Sequence, residues 1–394
     1  MERVIVLLLL LSLSVKGQQY VWTQKASLPA PPRYESVGFS IGNKGYFGTG
    51  SNSNINAVYN DFWEYDQNTN TWSQRANVPG SSRYGAAGFS INGKGYIGTG
   101  WTINNTPLND FYEYNPVNNL WTVKANFIGS ARYDAIGLAI GSYGYIGFGY
   151  SGLQKDLYEY DPIADSWSQK SNFPGNARQS LTSFSIGGLG YFCCGASGVI
   201  NYNDLWSYNP QQDSWTQLMN FPSGARHANV SFVMNNLGIV GSGWDFVNSF
   251  NDFYGYNPNL NSWTPIINFT GNARYAGDAF SINNKGYFGL GRDDFANHYN
   301  DFWELADITT VSSFNQVFHN VFFNNFNSTL NIETKDAHVV EVNIYNLNGQ
   351  EIAKFECSEK KEYHQLKLNL KSGIYFYDLV FFNNVSIKGK FEVI

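Results

Sequence analysis

The stretch RYGAAGFSINGKGYIGTG at residues 83–100, followed by NDFYEYNP at 109–116 and a tryptophan at 121, decides the fold of this chain. It consists of short runs rich in aromatic and β-branched residues, each bounded by Gly, Asn, Asp or Pro, which is typical of strands. The Asn-Gly pair at 92–93 supplies the positive φ angles of a two-residue hairpin turn. We therefore expect a four-stranded antiparallel meander that begins near Arg83 and closes near Trp121.

The same pattern recurs six times between residues 20 and 305. An arginine starts each repeat, at intervals of 46 to 50 residues, and a tryptophan lies eleven residues before each arginine. The arginines are Arg33, Arg83, Arg132, Arg178, Arg226 and Arg274, and the tryptophans are Trp22, Trp72, Trp121, Trp167, Trp215 and Trp263. Periods of this length indicate a solenoid or a propeller. Repeated meanders without helical periodicity favour an all-β, six-bladed β-propeller.

The order of the elements also predicts how the ring closes. Trp22 and Thr23 read as a fourth strand that no first three strands precede, and Phe302–Leu305 reads as a third strand that no fourth strand follows. We therefore expect the mature N-terminus to supply the outer strand of the last blade. Closure of this kind removes exposed sheet edges, which invite aggregation.

These repeats carry a composite motif: an Arg-Tyr start, a glycine pair after an apolar strand, a Tyr-Asp-Pro element as at 160–162, and the closing tryptophan. The motif resembles the kelch family, as in the central domain of galactose oxidase, over roughly residues 20–305. The family usually has adjacent glycines, whereas here the pair is split, as in Gly-Thr-Gly at 48–50, and repeat four has Cys-Cys-Gly at 193–195.

The resemblance brings two enzyme classes into consideration. Some kelch relatives bind copper through histidines, tyrosines and a Cys–Tyr cross-link, but the repeat region here has only His227 and His298. We therefore predict no metal and no cofactor. Other relatives are six-bladed sugar-acid epimerases with an arginine-lined channel. A carbohydrate-active enzyme such as a sialic acid-like epimerase thus stays open as an alternative to a protein that only binds.

Strand order predicts where a ligand would bind. The Arg-Tyr starts and the variable loops between the second and third strands should meet at one face, around a central channel, and variable loops on a rigid scaffold are where binding usually occurs. Repeats four and five replace the tyrosine by Gln179 and His227. The predicted ligand-binding residues are the six arginines with Gln179, His227, Trp101, Trp244, Asp245, Asp293 and His298.

Two interpretations of the arginines remain open. Six guanidiniums could form forked hydrogen bonds to an acidic or neutral glycan or to an acidic peptide. They could instead pair with aspartates that recur at the same period, namely Asp61, Asp110, Asp156, Asp204, Asp252 and Asp301. In either case the sequence favours a module that recognises a glycan or protein ligand, with a purely structural surface component as a further alternative.

The ends of the chain predict export. Residues 1–17 have an early arginine and a twelve-residue apolar run from Val4 to Val15, which is typical of a secretory signal and too short for a transmembrane anchor. We assign 18–305 to the propeller, 306–325 to a linker and 326–394 to a small β-sandwich. The net charge of −6 and the lack of a basic stripe argue against nucleic acid as a partner.

The C-terminal segment contains VNIYNLNGQ at 342–350, then LNLKSGIYF at 368–376, and a basic strand at its end. This order and spacing resemble the C-terminal sorting domain of type IX secretion in Bacteroidota. The resemblance implies export through the periplasm to the outer surface or the medium, with the type IX machinery as partner. An additional β-sandwich for adhesion or stability is the alternative.

The three cysteines do not form a disulfide framework. Cys193 and Cys194 are neighbours in a predicted strand, where successive side chains point to opposite faces, so we expect buried thiols that do not bridge. Cys357 lies far away in the C-terminal segment.

Overall fold

The computed structural model of the chain describes residues 20–307, 319–324, 328–334, 339–357, 363–381 and 386–393, and these residues form strands and loops without any helix. The predicted signal peptide at 1–17 lies outside the described residues. The chain divides into two compact units, Met1–Thr310 and Val311–Ile394.

The described part of the first unit contains six four-stranded antiparallel sheets, which we number 1 to 6 in chain order. Their first strands are Val37–Ile41, Ala87–Ile91, Ile136–Ile140, Thr182–Ile186, Val230–Met234 and Asp278–Ile282. The second strands are Lys44–Gly48, Lys94–Gly98, Tyr143–Gly147, Leu189–Cys193, Leu237–Gly241 and Lys285–Gly289. The third strands are Phe62–Asp66, Phe111–Asn115, Leu157–Asp161, Leu205–Asn209, Phe253–Asn257 and Phe302–Asp307. The fourth strands are Thr71–Arg75, Leu120–Val123, Ser166–Lys170, Ser214–Gln217, Ser262–Pro265 and Tyr20–Lys25.

Sheet 6 takes its fourth strand from the other end of the unit. Tyr20–Lys25 pairs antiparallel with Phe302–Asp307, with Trp22 opposite Leu305. Trp22 is buried among four phenylalanines, and its ring centroid lies 5.2 Å from those of Phe253 and Phe269. The pairing is the one that the order of the sequence elements predicts.

Burial along the strands follows from their position in each sheet. The second strands have four consecutive buried residues, as in Lys44–Gly48, because neighbouring sheets cover both of their faces. The fourth strands of sheets 1 to 5 contain only exposed or half-buried residues. Glycine is needed where sheets approach closely: a Cβ on Gly286 would lie 1.9 Å from the ring of Phe232 in sheet 5.

The first strands of neighbouring sheets contact one another, and Val37–Ile41 contacts the first strands of both sheet 2 and sheet 6. Just before each first strand, one backbone N–H donates to the carbonyl of the equivalent residue in the preceding sheet. These bonds join Glu35 to Ala276, Gly85 to Glu35, Asp134 to Gly85, Ser180 to Asp134, Ala228 to Ser180 and Ala276 to Ala228, over 2.8–3.1 Å. The series returns to its starting residue.

A second set of bonds between sheets explains the split glycine pair. The second glycine of each pair donates its N–H to the carbonyl of the arginine in the next sheet, as Gly100 does to Arg132 at 2.7 Å. These glycines have φ between 88° and 106°. A Cβ on Gly149 would lie 2.6 Å from the carbonyl oxygen of Tyr133, so the position excludes a side chain.

The recurring tryptophans join each sheet to the sheet before it. The indole N–H of Trp121 donates to the carbonyl of Ala76 at 2.8 Å, and that of Trp167 donates to Ala125 at 2.9 Å. Equivalent bonds are made by Trp72, Trp215, Trp263 and, at 3.4 Å, Trp22. The recurrence of a tryptophan in every repeat thus reflects a contact between successive sheets.

Two short hairpins project from the loops, Ser51–Asn52 with Ala57–Val58 and Ala196–Ser197 with Ile200–Asn201.

The second unit has a three-stranded sheet in the order His319–Asn324, Thr329–Thr334, Tyr363–Lys367. Its four-stranded sheet has the order Glu351–Glu356, Val339–Tyr345, Gly373–Phe381, Ser386–Val393. Residues 306–325, predicted as a linker, start inside the last strand of sheet 6 and include the strand His319–Asn324.

Candidate functional site

In each sheet, the residue after the repeat arginine forms an isolated β-bridge with the residue three positions after the end of the second strand. The bridges are Tyr34–Ser51, Tyr84–Trp101, Tyr133–Tyr150, Gln179–Ala196, His227–Trp244 and Tyr275–Arg292. We call these twelve residues the rim. The bridges bring the strand starts and the variable loops together, as strand order predicts.

The six arginines lie beneath the rim and are 0–2% exposed. In sheet 3, Arg132 Nη1 donates to the carbonyl of Phe148 at 2.9 Å, and Arg132 Nη2 donates to Asp156 Oδ2 at 2.8 Å while Nη1 donates to Oδ1. The same fork recurs for Arg33–Asp61, Arg83–Asp110, Arg178–Asp204, Arg226–Asp252 and Arg274–Asp301. Each guanidinium charge is therefore neutralised within its own sheet.

An aromatic cluster forms the rim of sheets 5 and 6. Trp244 stacks on Tyr275 with centroids 5.0 Å apart and planes 11° apart. His227 lies 4.7 Å from Phe246 and 5.5 Å from Trp244. His227 Nδ1 lies 2.7 Å from Asn201 Oδ1, and since a carboxamide oxygen only accepts, the imidazole donates there. Burial lowers the pKa of His227 to about 4, so the ring is neutral at physiological pH.

A second aromatic cluster forms the rim of sheets 2 and 3. Tyr133 lies 4.6 Å from Trp101, 5.6 Å from Tyr150 and 6.4 Å from Tyr84, measured between ring centroids. The indole N–H of Trp101 donates to Asn105 at 3.2 Å. Tyr150 is 42% exposed, so this cluster presents ring surface to solvent.

Arg292 joins the first cluster to sheet 1. Its guanidinium lies 4.4 Å from the ring centroid of Tyr34 and 5.0 Å from that of Tyr275. The ring of His298 lies 5.2 Å from that of Tyr34, and burial lowers the pKa of His298, with the charge of Arg292 acting in the same direction. Sequence reasoning missed Arg292, although it is the one loop arginine outside the repeat period.

Four polar atoms of this region are buried without a hydrogen-bond partner among the described residues. They are Gln179 Oε1, Trp244 Nε1, Arg292 Nε and His298 Nδ1. Buried polar groups are normally satisfied by protein, water or ligand. Three of the four belong to residues that the sequence analysis selected.

The two predicted loop aspartates shape their own loops. Asp293 is 8% exposed and accepts hydrogen bonds from the backbone of Phe295 and Asn297 and from the hydroxyl of Tyr299. Although burial opposes it, these bonds hold the pKa of Asp293 below its usual value. Asp245 accepts from the backbone of Val247 and Asn248.

Below the rim, the first strands line an open cavity of about 200 Å³ to which residues of all six sheets contribute. Three carboxyl side chains, Glu35, Asp134 and Asp278, line it, and none of its lining residues is basic. Ser180 donates to Asp134 at 2.9 Å, and Ser36 donates to Asp278. Burial raises the pKa of Asp134 and of Asp278 to about 6. Burial, and then the charge of Asp134, raise the pKa of Glu35 as well.

Sequence reasoning missed these three acids. Asp278 occupies a first-strand position where the other repeats have Val37, Ala87, Ile136, Thr182 and Val230. A column-by-column comparison of the repeats would have shown this deviation. Glu35 has a φ of 50°, a left-handed conformation that Gly85 adopts at the equivalent position without strain.

The raised pKa of Asp278 predicts a pH-dependent stability. The folded protein binds the proton of the Asp278 carboxyl more tightly than the unfolded chain does. The protonated carboxyl therefore stabilises the fold below about pH 4, and this stabilisation is lost as the pH rises through 6. We expect the free energy of unfolding of Asp278→Asn to equal that of the wild type at pH 4 and to exceed it by about 2 kcal/mol at pH 8. Chemical denaturation between these pH values measures the difference.

Asp66 provides the control for this experiment. A hydrogen bond from Lys44 lowers its pKa, so its contribution to stability is present at neutral pH and lost on acidification. Asp66→Asn should therefore lower stability slightly at pH 8. An Asp278→Asn variant that is no more stable than the wild type at pH 8 would contradict the assignment.

The structure corrects the prediction that Cys193 and Cys194 point to opposite faces. Their Sγ atoms lie 3.1 Å apart, and both side chains are fully buried.

No group of three or more His, Cys, Asp or Glu side chains is arranged to hold a metal ion within the described parts of the chain.

The three-stranded and four-stranded sheets of the second unit share a core of buried residues that includes Leu330, Val342, Ile344 and Leu379. Residues 320–391 match the family model described as "Secretion system C-terminal sorting domain". The second unit carries a type IX sorting domain. This sorting domain directs the chain to the cell surface or the medium. No helix in the described residues has the length and hydropathy to span a membrane.

The first unit is similar in fold to a solved protein. "Structure of YjhT" aligns with a TM-score of 0.62 and 15% identity, covering 71% of this chain and 95% of that chain. At this identity the likeness concerns the fold alone, and it supports a propeller-like arrangement. A search of curated proteins returned no match to the sequence.

The sorting domain predicts a secretion defect on truncation. Removing residues 320–394 takes away the whole matched region while leaving the strands of sheets 1 to 6 intact. We expect the truncated chain to accumulate in the periplasm, whereas the full chain reaches the surface or the medium. Immunoblots of periplasmic and extracellular fractions distinguish the two, and equal secretion of both chains would contradict the prediction.

Proposed function

We propose that the first unit is a closed, six-bladed propeller of the kelch type and that it serves as an exported, non-catalytic recognition module for a glycan. The six four-stranded sheets, the contacts of the first strand of sheet 1 with those of sheets 2 and 6, and the bonds between sheets described above support this architecture. The recurring Arg-Asp fork supports the kelch assignment, since it connects the residues that define the repeat.

The observation that carries the ligand proposal is the combination of aromatic rings and unpartnered polar atoms at the rim. Flat rings such as Trp244 and Tyr150 provide apolar surface against which sugar faces can pack, and the polar atoms of Gln179 and Trp244 provide one acceptor and one donor. A preformed concave site with few polar groups is typical of ligand binding.

The charge of the site narrows the ligand class. The arginines that motivated an acidic ligand are each paired with an aspartate, while the only charged side chains that line the cavity beneath the rim are the acids Glu35, Asp134 and Asp278. Neutral sugars, or sugars that carry an amino group, therefore suit the cavity better than acidic sugars do. The cavity is too small for a whole oligosaccharide, most of which would lie on the rim.

Binding of the exported protein to a glycan array tests the proposal. Trp244→Ala and Tyr150→Ala should each reduce binding at least tenfold, because each removes a ring from the rim. Tyr143 is a matched control: it also belongs to sheet 3 and is 41% exposed against 42% for Tyr150, but it begins the second strand, at the other end of the sheet. Tyr143→Ala should bind normally.

If no glycan binds, or if the three variants behave alike, the recognition proposal fails. The remaining alternative would then be a structural component of the cell surface. Thermal denaturation of each variant shows whether a loss of binding reflects a loss of fold.

One observation favours a catalytic alternative. Asp134 and Asp278 have pKa values near 6, which suits a general acid or base at neutral pH, and both line the same cavity. An epimerase acting on a sugar would use such groups to move a proton. Incubation of candidate sugars with the wild type and with Asp134→Asn, followed by NMR of the anomeric and ring protons, tests this alternative.

A further inference from the structure

The two adjacent cysteines of sheet 4 occupy positions where the other sheets have different residues. Cys193 stands where the other repeats have Gly48, Gly98, Gly147, Gly241 and Gly289, and Cys194 stands where they have Thr49, Thr99, Phe148, Ser242 and Leu290. The Sγ–Sγ distance of 3.1 Å is about 1 Å longer than a disulfide bond of about 2.05 Å. Both residues are 0% exposed.

The backbone explains why the two side chains converge. The second strand of sheet 4 ends at Cys193, and Cys194 has a φ of 68°, so the alternation of faces stops between them. The equivalent residues of the other sheets have φ between 60° and 62°, which shows that the repeat itself imposes this turn. Adjacent α-carbons are about 3.8 Å apart, less than in most disulfides, and the turn brings the two Sγ atoms close together despite this short spacing.

We propose that Cys193 and Cys194 are joined by a disulfide in the exported protein. The sorting domain directs the chain across the periplasm, where thiols are oxidised. One cysteine thiolate attacks a disulfide of a periplasmic oxidant protein, forming a mixed disulfide and releasing one oxidant thiolate. The second cysteine thiolate then attacks the mixed disulfide, which forms the Cys193–Cys194 bond and releases the second oxidant thiolate. The chain loses two electrons and two protons, and the oxidant is reduced to a dithiol.

The burial of the pair determines when the bond forms. Burial raises the pKa of the Cys193 thiol well above its usual value, and a buried thiol is a poor nucleophile. Oxidation therefore precedes the folding of sheet 4, and the completed bond is shielded from reductants in the folded protein. Cys357, in the second unit, is partly buried and remains a free thiol.

The bond would fix the turn that carries the rim of sheet 4. The N–H of Cys194 donates to the carbonyl of Asp204 at 3.1 Å, and its carbonyl accepts from Arg178 at 3.1 Å. Two residues later, Ala196 forms the β-bridge with Gln179. The disulfide thus constrains the one blade whose rim has no aromatic ring.

Mass spectrometry of the full-length exported protein tests the proposal. The protein is denatured in acid, alkylated without reductant and digested. We expect the peptide with Cys193 and Cys194 to be unalkylated and two hydrogens lighter than its reduced form, while the peptide containing Cys357 is alkylated. Two alkylated thiols at 193 and 194 in the exported protein would overturn the proposal.

A variant and a reductant test distinguish this bond from other oxidation. Cys193→Gly restores the residue of the other five repeats and should leave Cys194 as a single alkylated thiol. Dithiothreitol should reduce the wild-type bond only when denaturant is present. A dithiothreitol-sensitive bond in the native protein, or pairing of either cysteine with Cys357, would contradict the inference.

Discussion

A chain that begins after Lys25 is expected to aggregate instead of folding. Without Tyr20–Lys25, the strand Phe302–Asp307 loses a six-residue antiparallel partner and becomes an exposed sheet edge. The deletion also removes Trp22, which is 5% exposed and fills the space between Phe253, Phe269 and Phe288. Truncation of such a residue alone to alanine costs about 3–5 kcal/mol. When the backbone hydrogen bonds of the strand are included, the stabilisation lost with the whole strand should therefore exceed the free energy of unfolding of a typical domain, about 5–15 kcal/mol.

Size-exclusion chromatography and circular dichroism measure this outcome. Thr23 and Gln24 belong to the same strand and point to solvent, so the double variant Thr23→Ala with Gln24→Ala keeps the backbone pairing and is the matched control. It should fold like the wild type. A monomeric truncated chain with an unchanged melting temperature would show that the fourth strand of sheet 6 is dispensable.

The substitution Arg132→Ala is expected to lower the free energy of unfolding by about 3–5 kcal/mol, because it leaves the Asp156 carboxylate in a largely buried site without its counter-ion. It also leaves the carbonyls of Phe148 and Ser130 without their guanidinium donors. Urea denaturation at neutral pH measures the change. Lys170 and Glu159 form a control pair on the same sheet, at 3.1 Å and with both side chains partly exposed, so Lys170→Ala should cost less than about 1 kcal/mol.

This experiment also separates the two interpretations of the arginines. A variant that folds as stably as the wild type but loses its ligand would assign Arg132 to binding. A strongly destabilised variant would assign it to the fold. The double variant Arg132→Met with Asp156→Leu should recover part of the loss, since it removes both charges together.

The repeat could be predicted from the sequence because it is defined by residues that lie close together along the chain. The strand starts, the Asn-Gly turn and the tryptophan spacing all follow from local rules, and the pairing of the N-terminal strand follows from counting elements. What the sequence analysis could not provide was burial. Nothing in the spacing of Arg132 and Asp156 shows that both lie beneath the rim. The hypothesis of an acidic ligand assumed that the guanidiniums are exposed.

The acids of the cavity were missed for a related reason. Glu35 and Asp134 sit in a repeat column otherwise occupied by glycine, serine and alanine, but only the placement of the first strands around one cavity shows that Asp278 lines the same space. Cys194 illustrates the same limit, since the alternation rule holds inside a strand and the turn at the strand end breaks it.

The pairing of Tyr20–Lys25 with Phe302–Asp307 also constrains the order of assembly during biosynthesis. Asn300 donates to the carbonyl of Leu28, a residue 272 positions earlier in the chain, so the seam between the first and last sheets forms only when nearly the entire first unit has been synthesised. Until then, Trp22 lacks the rings of Phe253, Phe269 and Phe288 that cover it in the folded protein. Folding rates that fall with non-local pairing predict a slow final step.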